Sequence, residues 1–174
     1  RLDTLQSLAR TPAFQTADMG SWVYAKKCRA NNDNIVAMLS LEAMGYYRSE
    51  AGTQHYPWPL GMFYPDRGDF VALVGNWSSR ELVRRCVSTF RASTEFTCEG
   101  AAPPGLIPGV GWSDHWAFWQ EGYPALMATA TAPFRNGNYH QATDTPETLD
   151  YERMARVVEG LARVLDELAG ARAK

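Results

Sequence analysis

Three short runs of the sequence are almost continuously apolar. They occupy residues 35–42, 69–75 and 124–132 and are rich in Val, Ile, Leu and Ala. Runs of this length and composition are typical of strands in a sheet that is covered on both faces. The pattern therefore predicts three buried strands.

Helices are expected before, between and after these strands, and apolar residues recur at helical spacing most clearly in the last of them. Three helices are predicted over residues 18–29, 114–121 and about 150–168. A fourth begins at Ser78 and Glu81, which are spaced as a capping box. Strands that alternate with helices predict a single α/β domain over residues 1–174, with three α/β/α layers around a mostly parallel or mixed sheet.

Composition narrows the classes of function. The 174 residues are 45% hydrophobic, carry a net charge of −2 and have a sequence pI of about 5.9. General nucleic-acid and membrane-surface binding both need a basic face, so neither partner is expected. No apolar stretch approaches the length of about 18 residues that indicates a membrane span.

The cysteines give information on the redox state of the cellular compartment. Cys28, Cys86 and Cys98 contain no CxxC pair, and an odd count without a dense framework predicts free thiols in a reducing environment. Residues 1–10 contain no apolar leader segment. A cytoplasmic location is therefore expected, unless a signal has been removed.

Two polar residues stand where an α/β fold often carries chemistry. Glu42 ends the first predicted strand, and ligands of open α/β sheets gather at the carboxyl ends of strands. It is equally well an ordinary loop glutamate. His140 precedes Asp144 in a loop. It is either a metal ligand or general base that Asp144 orients, or a surface histidine.

Other candidate features have simpler explanations. Asp114 and His115 are adjacent, so their side chains diverge on a helix, and Asp114 is expected to cap that helix. Trp112, Trp116 and the neighbouring aromatic residues either line an apolar pocket or belong to the core. The sequence contains no GxSxG, GxGxxG or Walker A motif, which disfavours serine-elbow, dinucleotide and P-loop chemistry.

Several segments, in order along the chain, resemble one known family. The stretch MLSLEAMGYY at 38–47 resembles the SLEMIGYY motif of the zinc-dependent aminopeptidases, and FQTADMGS at 14–21 resembles their FQTEDMGS. Further similar segments are DFVALVGN at 69–76, PGVGWSDHWAFW at 108–119, EGYPALM at 121–127, TAPFRN at 131–136 and YHQATDTPETLDYERMAR at 139–156. The resemblance covers residues 12 to about 165 and implies the C-terminal part of that family's α/β domain, truncated relative to the whole.

The resemblance also implies roles for particular residues. The family comprises di-zinc exopeptidases, related in fold to the glutaminyl cyclases, whose zinc ions activate a bridging water. By motif, Glu42 corresponds to the fourth zinc ligand, His140 to the fifth, and Asp114 to a buried polar residue near the site. The neighbours expected to support these ligands or to line the pocket are Asp114, Asp144, Tyr139 and Trp116.

The sequence departs from the family at the residues that matter most for catalysis. The family's adjacent glutamates, one the general base and one a ligand, correspond here to Ala9 and Arg10, and Ala130 replaces an aspartate. Glu42 and His140 alone are fewer than the three protein ligands usual for catalytic zinc. No catalytic group is expected to be intact and no cofactor is expected, with zinc as the metal if any binds.

These departures favour a degenerate relative without peptidase activity. Such a domain would bind a peptide or small molecule in the remaining cleft, or serve as an interaction module. The alternative is an active zinc aminopeptidase whose missing ligands come from an absent segment or another subunit. A third interpretation is a different hydrolase or transferase that reuses His140 and Asp114.

Truncation also predicts a partner. The family's sheet continues with strands that have no counterpart in these residues, so one strand is expected to become an exposed edge. Exposed edges and apolar faces favour pairing with another chain. A homodimer or higher oligomer through this edge is expected, with residues 1–10, whose leucines Leu2, Leu5 and Leu8 have helical spacing, as a candidate covering helix.

Overall fold

The computed structural model describes residues 13–105 and 107–170. The predicted helix face at Leu2, Leu5 and Leu8 lies outside these residues, as do Ala9 and Arg10. The described helices are α1 (Gly20–Ala30), α2 (Arg80–Ser93), α3 (His115–Gln120) and α4 (Tyr151–Leu168). The described strands are β1 (Met38–Glu42), β2 (Phe70–Gly75), β3 (Thr97–Ala101) and β4 (Ala125–Thr129).

The strands form one mixed sheet in the order β1-β4-β2-β3. β1 runs parallel to β4 and β2 parallel to β3, whereas β2 and β4 are antiparallel. The register aligns Glu42 with Thr129, Thr129 with Ala72, and Ala72 with Glu99. Because paired residues project to the same face, these four residues form one line across the sheet, which we call the cross-sheet row.

Helices cover both faces of the sheet. On the back face, β2 and β4 residues such as Leu73 and Leu126 pack with Phe90 of α2 and with Val157 and Leu161 of α4. On the front face, α1 and α3 cover the start of β4 through a second cluster that includes Ala25, Phe118, Tyr123 and Ala125. The predicted three-layer α/β/α architecture is confirmed. Within the described residues, no helix combines the length and apolar content needed to cross a membrane.

The strand predictions needed two kinds of correction. β3 was missed, because Thr97–Ala101 contains no apolar run. The first strand begins at Met38 rather than residue 35, since Val36 is exposed before the chain enters the sheet. The last ends at Thr129, because Thr131 takes a left-handed conformation (φ 52°) that turns the chain out of the sheet.

The start of α2 also differs from the prediction. Ser78 and Glu81 do not form a capping box. Instead the Asn76 side chain accepts a hydrogen bond from the Ser79 backbone N–H (2.9 Å) and caps a short 3-10 turn that leads into the helix. The Glu81 carboxylate pairs with Arg84 one turn on (2.9 Å). Asparagine is as good a cap as serine, so the helix keeps its start with a different residue.

Candidate active-site cleft

A cleft that is partly open to solvent lies over the front face of the sheet. Its floor is built from the side chains of β2 and β4 that point away from the back helices. Those residues are Phe70, Ala72, Val74, Met127 and Thr129. The floor is therefore largely apolar along its centre.

Three loops form the walls of the cleft. They span residues 54–64, 103–112 and 131–139, the segments before β2, after β3 and after β4. Most of their contributions are aromatic or aliphatic. The lining residues from the walls include Tyr56, Leu60, Tyr64, Val110, Trp112, Phe134 and Tyr139.

A buried guanidinium holds two of these loops to the sheet. Arg135 Nε donates to Gln54 Oε1 (2.7 Å), and its Nη1 donates to the Phe70 carbonyl (2.9 Å). Thr131 Oγ1 donates to the same Gln54 oxygen (3.0 Å). Burial lowers the pKa of Arg135 to about 10, so the group remains charged at neutral pH. Charge-assisted hydrogen bonds of this kind hold the loops that carry Gln54 and Arg135 against β2.

Glu42 occupies the position that the sequence predicted. It ends β1, is half-buried and lines the cleft. Tyr139 lines the same region. Burial raises the pKa of the Tyr139 hydroxyl, and the negative charges of Glu42 and Asp144 raise it further. The carboxylate and the phenol are therefore close enough to influence each other.

His140 does not reach the cleft lining. It is exposed, and its ring stacks on that of Tyr139, with centroids 3.9 Å apart and planes inclined by 20°. Its backbone is left-handed (φ 60°), an uncommon conformation for a residue other than glycine. In the described part of the chain, Asp144 is exposed and accepts from Asn136 Nδ2 (3.2 Å) rather than orienting His140. The expectation that Asp144 orients His140 is therefore not met among the described residues.

The expectation that Asp114 is buried near the site is also wrong. Asp114 is exposed, does not line the cleft, and precedes α3 without a side-chain capping bond. Its neighbours are buried instead: Ser113 Oγ lies 2.6 Å from Ser40 Oγ, and the side chain of His115 is fully enclosed. Adjacent residues at a helix start face different directions, so burial of both neighbours turns Asp114 outward.

The tryptophans divide between the pocket and the packing. Trp112 lines the cleft and is 52% exposed. Trp116, which was expected to line the pocket, instead meets Trp22 of α1 edge-on, with centroids 5.2 Å apart. Local sequence could not distinguish the roles of Trp112 and Trp116, because the aromatic residues are close together in sequence and only the fold separates them.

His115 is a structural histidine. Its Nε2 is 2.7 Å from the Val110 carbonyl, which can only accept, so the neutral ring carries its proton on Nε2. Nδ1 is buried without a partner among the described residues. Protonation there would leave an unpaired buried N–H, and burial accordingly lowers the pKa of His115 to about 4. The bond holds the loop that carries Val110 over the cleft.

The cleft residues that the sequence did not single out include Glu99, Tyr56 and Tyr64. Glu99 belongs to the strand that was not predicted, and the tyrosines belong to a loop rich in Gly, Pro and Tyr that carries no local pattern. The one available signal was a carboxylate flanked by small residues in Thr97–Ala101.

A zinc centre does not fit the described residues alone. Residues 13–105 and 107–170 contain no group of three or more His, Cys, Asp or Glu side chains able to hold a metal ion together. Glu42 faces the cleft, whereas His140 stands outside its lining. A catalytic zinc needs about three protein ligands, and the described donors fall short of that number.

Comparison with known proteins decides the family. The model of peptidase family M28 matches residues 18–165. The chain belongs to peptidase family M28. The resemblance of its sequence motifs to the zinc-dependent aminopeptidases is thereby confirmed at the level of family and fold.

The related proteins are longer than this M28 chain. It is 40% identical over 155 residues to the Uncharacterized protein YfbL of Escherichia coli (strain K12), covering 88% of this chain and 47% of YfbL. The LapA aminopeptidase of Legionella pneumophila shares its fold with a TM-score of 0.63 at 15% identity, covering 89% of this chain and 37% of LapA. An aminopeptidase from Aneurinibacillus sp. strain AM-1 gives 0.59 at 17% identity, covering 86% and 30%. The chain thus spans less than half the length of these relatives.

The buried His115 predicts a pH dependence of stability. Unfolded, its imidazole takes up a proton below its ordinary pKa of 6.5, whereas the folded ring stays neutral until about pH 4. Proton uptake then favours the unfolded chain, so stability present above pH 6.5 is lost as the pH falls toward 4, by on the order of 3 kcal/mol in full. Between pH 7.5 and 5, His115→Gln should lose about 2 kcal/mol less unfolding free energy than the wild type.

Urea unfolding at the two pH values measures this difference. His140→Gln is the matched control, since its imidazole is exposed, and it should follow the wild-type pH dependence. Equal losses for wild type and His115→Gln would show that the buried imidazole does not couple folding to protons.

Proposed function

We propose that this chain is a ligand-binding domain of the M28 fold, which holds an apolar group of a peptide or small molecule in its cleft and does not hydrolyse it. The observation that carries the proposal is the cleft itself. Its floor and walls are mostly apolar and aromatic, with few polar groups, which is the usual character of a small-molecule site.

The residues that would supply catalysis support the second half of the proposal. The sequence resemblance aligns Ala9 and Arg10 with the family's paired glutamates, and neither residue can serve as a general base or a carboxylate ligand. Ala130 replaces a family aspartate and is fully buried in the core behind the sheet. Glu42 then remains as a cleft carboxylate that could accept hydrogen bonds from a ligand, since it has no side-chain partner among the described residues.

An active zinc aminopeptidase is the second candidate. Two features favour it: Glu42 is retained at the cleft, and His140 stands directly beside Tyr139 at the rim. The relatives are more than twice as long as the matched region, so further ligands would come from another segment or another subunit. Arg10 at a ligand position counts against this candidate.

Ligand binding through the cleft wall can be measured with an amino-acid amide. Trp112 offers an aromatic face that excludes water from a bound apolar side chain, so Trp112→Ala should weaken the binding of phenylalanine amide about tenfold. Calorimetric titration gives the dissociation constant. The control is Trp77→Ala, which removes a 68% exposed tryptophan that does not line the cleft.

The wild type and Trp77→Ala should bind alike. If wild-type protein shows no saturable binding of phenylalanine amide, the cleft is not a site for apolar amino-acid side chains. If both variants lose affinity equally, binding occurs elsewhere on the molecule.

We also propose that the chain self-associates through β1. Among the described strands, β1 pairs only with β4, so its other edge offers unpaired backbone N–H and C=O groups. Leu41 on this strand and Val36 before it are each 63% exposed. An unprotected edge beside exposed apolar side chains favours pairing with the same strand of a second copy.

Light scattering in dilute buffer tests this association. The wild type should scatter as a dimer or higher oligomer, and Leu41→Lys should give monomers, because a charge on an edge strand opposes pairing. Leu165→Lys places the same charge on α4 at a leucine that is 54% exposed and should leave the oligomer intact. A wild-type monomer would rule out the dimer.

The thiols support a reducing compartment. Cys28, Cys86 and Cys98 are all buried and unpaired. Burial raises the pKa of both Cys86 and Cys98 to about 12, which leaves these thiols protonated and unreactive. We propose a cytoplasmic location on this basis.

A further inference from the structure

Carboxylates stand at both ends of the cleft floor. The cross-sheet row begins with Glu42 on β1, passes Thr129 and Ala72, and ends with Glu99 on β3, and all four residues line the cleft. Three inter-strand steps separate the two glutamate backbones by about 14 Å. The middle of the row is made of small side chains, which leaves an open path between the two charges.

The Glu99 end also has an aromatic wall. The rings of Tyr56 and Tyr64 stack with centroids 5.9 Å apart, and both line the cleft. Their hydroxyls are engaged, since Tyr56 donates to the Pro65 carbonyl (2.6 Å) and Tyr64 to the Gly100 carbonyl (3.0 Å). The rings are therefore held in place beside Glu99.

The negative charge of Glu99 acts on the aromatic wall. Burial raises the pKa of the Tyr64 hydroxyl, and the negative charge of Glu99 raises it further. An anionic carboxylate beside fixed aromatic rings is an arrangement that attracts a cation, through charge and through the ring quadrupole.

Glu99 already has one cationic neighbour, Arg91. The Arg91 Nη2 to Glu99 Oε2 distance is 3.2 Å, and the Arg91 side chain is 55% exposed. Arg91 does not line the cleft, so it approaches Glu99 from the outer side of the edge strand. An exposed pair of this kind is weak, and a carboxylate has room for further donors on its other oxygen.

We propose that the cleft selects ligands with two cationic groups separated by an apolar middle, one group bound by Glu42 and the other by Glu99 beside Tyr56 and Tyr64. This inference rests on the proposed binding function and names the chemical class of its ligand. The small, uncharged side chains of Thr129 and Ala72 between the two glutamates disfavour a third charge in the middle of the ligand. Both an extended diamine and a peptide with a free amino terminus and a basic side chain satisfy this chemistry.

A set of small amines tests the spacing and the charges separately. Decamethylenediamine, when extended, places its two nitrogens at a separation close to that of the glutamate backbones. Aminodecanol keeps the same chain with a neutral hydroxyl at one end, and tetramethylenediamine is too short to reach both carboxylates. In calorimetric titrations of the full chain, decamethylenediamine should bind about tenfold more tightly than aminodecanol, as expected for one added charge-assisted contact.

Two further ligands separate the natural sources of this chemistry. Spermidine is shorter than decamethylenediamine and carries an inner ammonium that would lie over Thr129 and Ala72, so it should bind less tightly on both grounds. A short peptide with a free amino terminus and a lysine side chain should match the diamine and exceed its norleucine counterpart. Spermidine binding as tightly as the diamine would contradict an apolar middle.

Glu99→Gln should remove the preference, so that the diamine binds no better than aminodecanol. Glu95→Gln removes an exposed carboxylate that does not line the cleft and should keep the preference. Equal binding of diamine and aminodecanol by the wild type would overturn this inference and leave the apolar cleft intact. If no amine and no amino-acid amide binds, the proposed function fails as well.

Discussion

Among the described strands, β2 and β4 alone pair antiparallel, and this pairing fixes the position of the cleft. The reversal sets the amino-terminal part of β2 beside the carboxyl ends of β1 and β4. The loop before β2 then meets the loop after β4, while the loop after β3 arrives from the opposite side. Because helices α2 and α4 pack on the back face, the front face is left to hold the cleft.

Polar anchors under the loops turn this apolar surface into a defined site. Arg135 joins Gln54 to the Phe70 carbonyl, and His115 holds the Val110 carbonyl from the opposite wall. Each is a buried group whose loss would leave partners unsatisfied, so each constrains its loop more firmly than apolar contact alone. The cleft owes its shape to these side chains and its charge pattern to Glu42 and Glu99.

The sequence predicted the layers better than the site. Continuous apolar runs predicted β1, β2 and β4, because strands that are buried on both faces are apolar throughout. A periodic apolar stripe predicted α4, because a helix that is buried on one face repeats its apolar residues every three or four positions. β3 left no such signal, since an edge strand with small and polar residues buries little. The sequence predicted Glu42 at the site because ligands of α/β sheets bind at the ends of strands. The same analysis expected Asp114, Asp144 and Trp116 near the site, and none of them lines the cleft. Their directions depend on turns and on packing between distant segments, which local spacing does not encode.

Zinc content and turnover, measured on one sample, distinguish a binding domain from an active peptidase. The protein is dialysed first against buffer containing zinc and then against zinc-free buffer, and elemental analysis is followed by an assay with aminoacyl nitroanilides. We expect no stoichiometric zinc and no hydrolysis, because the described donors fall short of a zinc site and the sequence resemblance aligns Ala9 and Arg10 with the family's paired glutamates. Two tightly bound zinc ions together with turnover would contradict this expectation and would show that the M28 centre is completed from elsewhere.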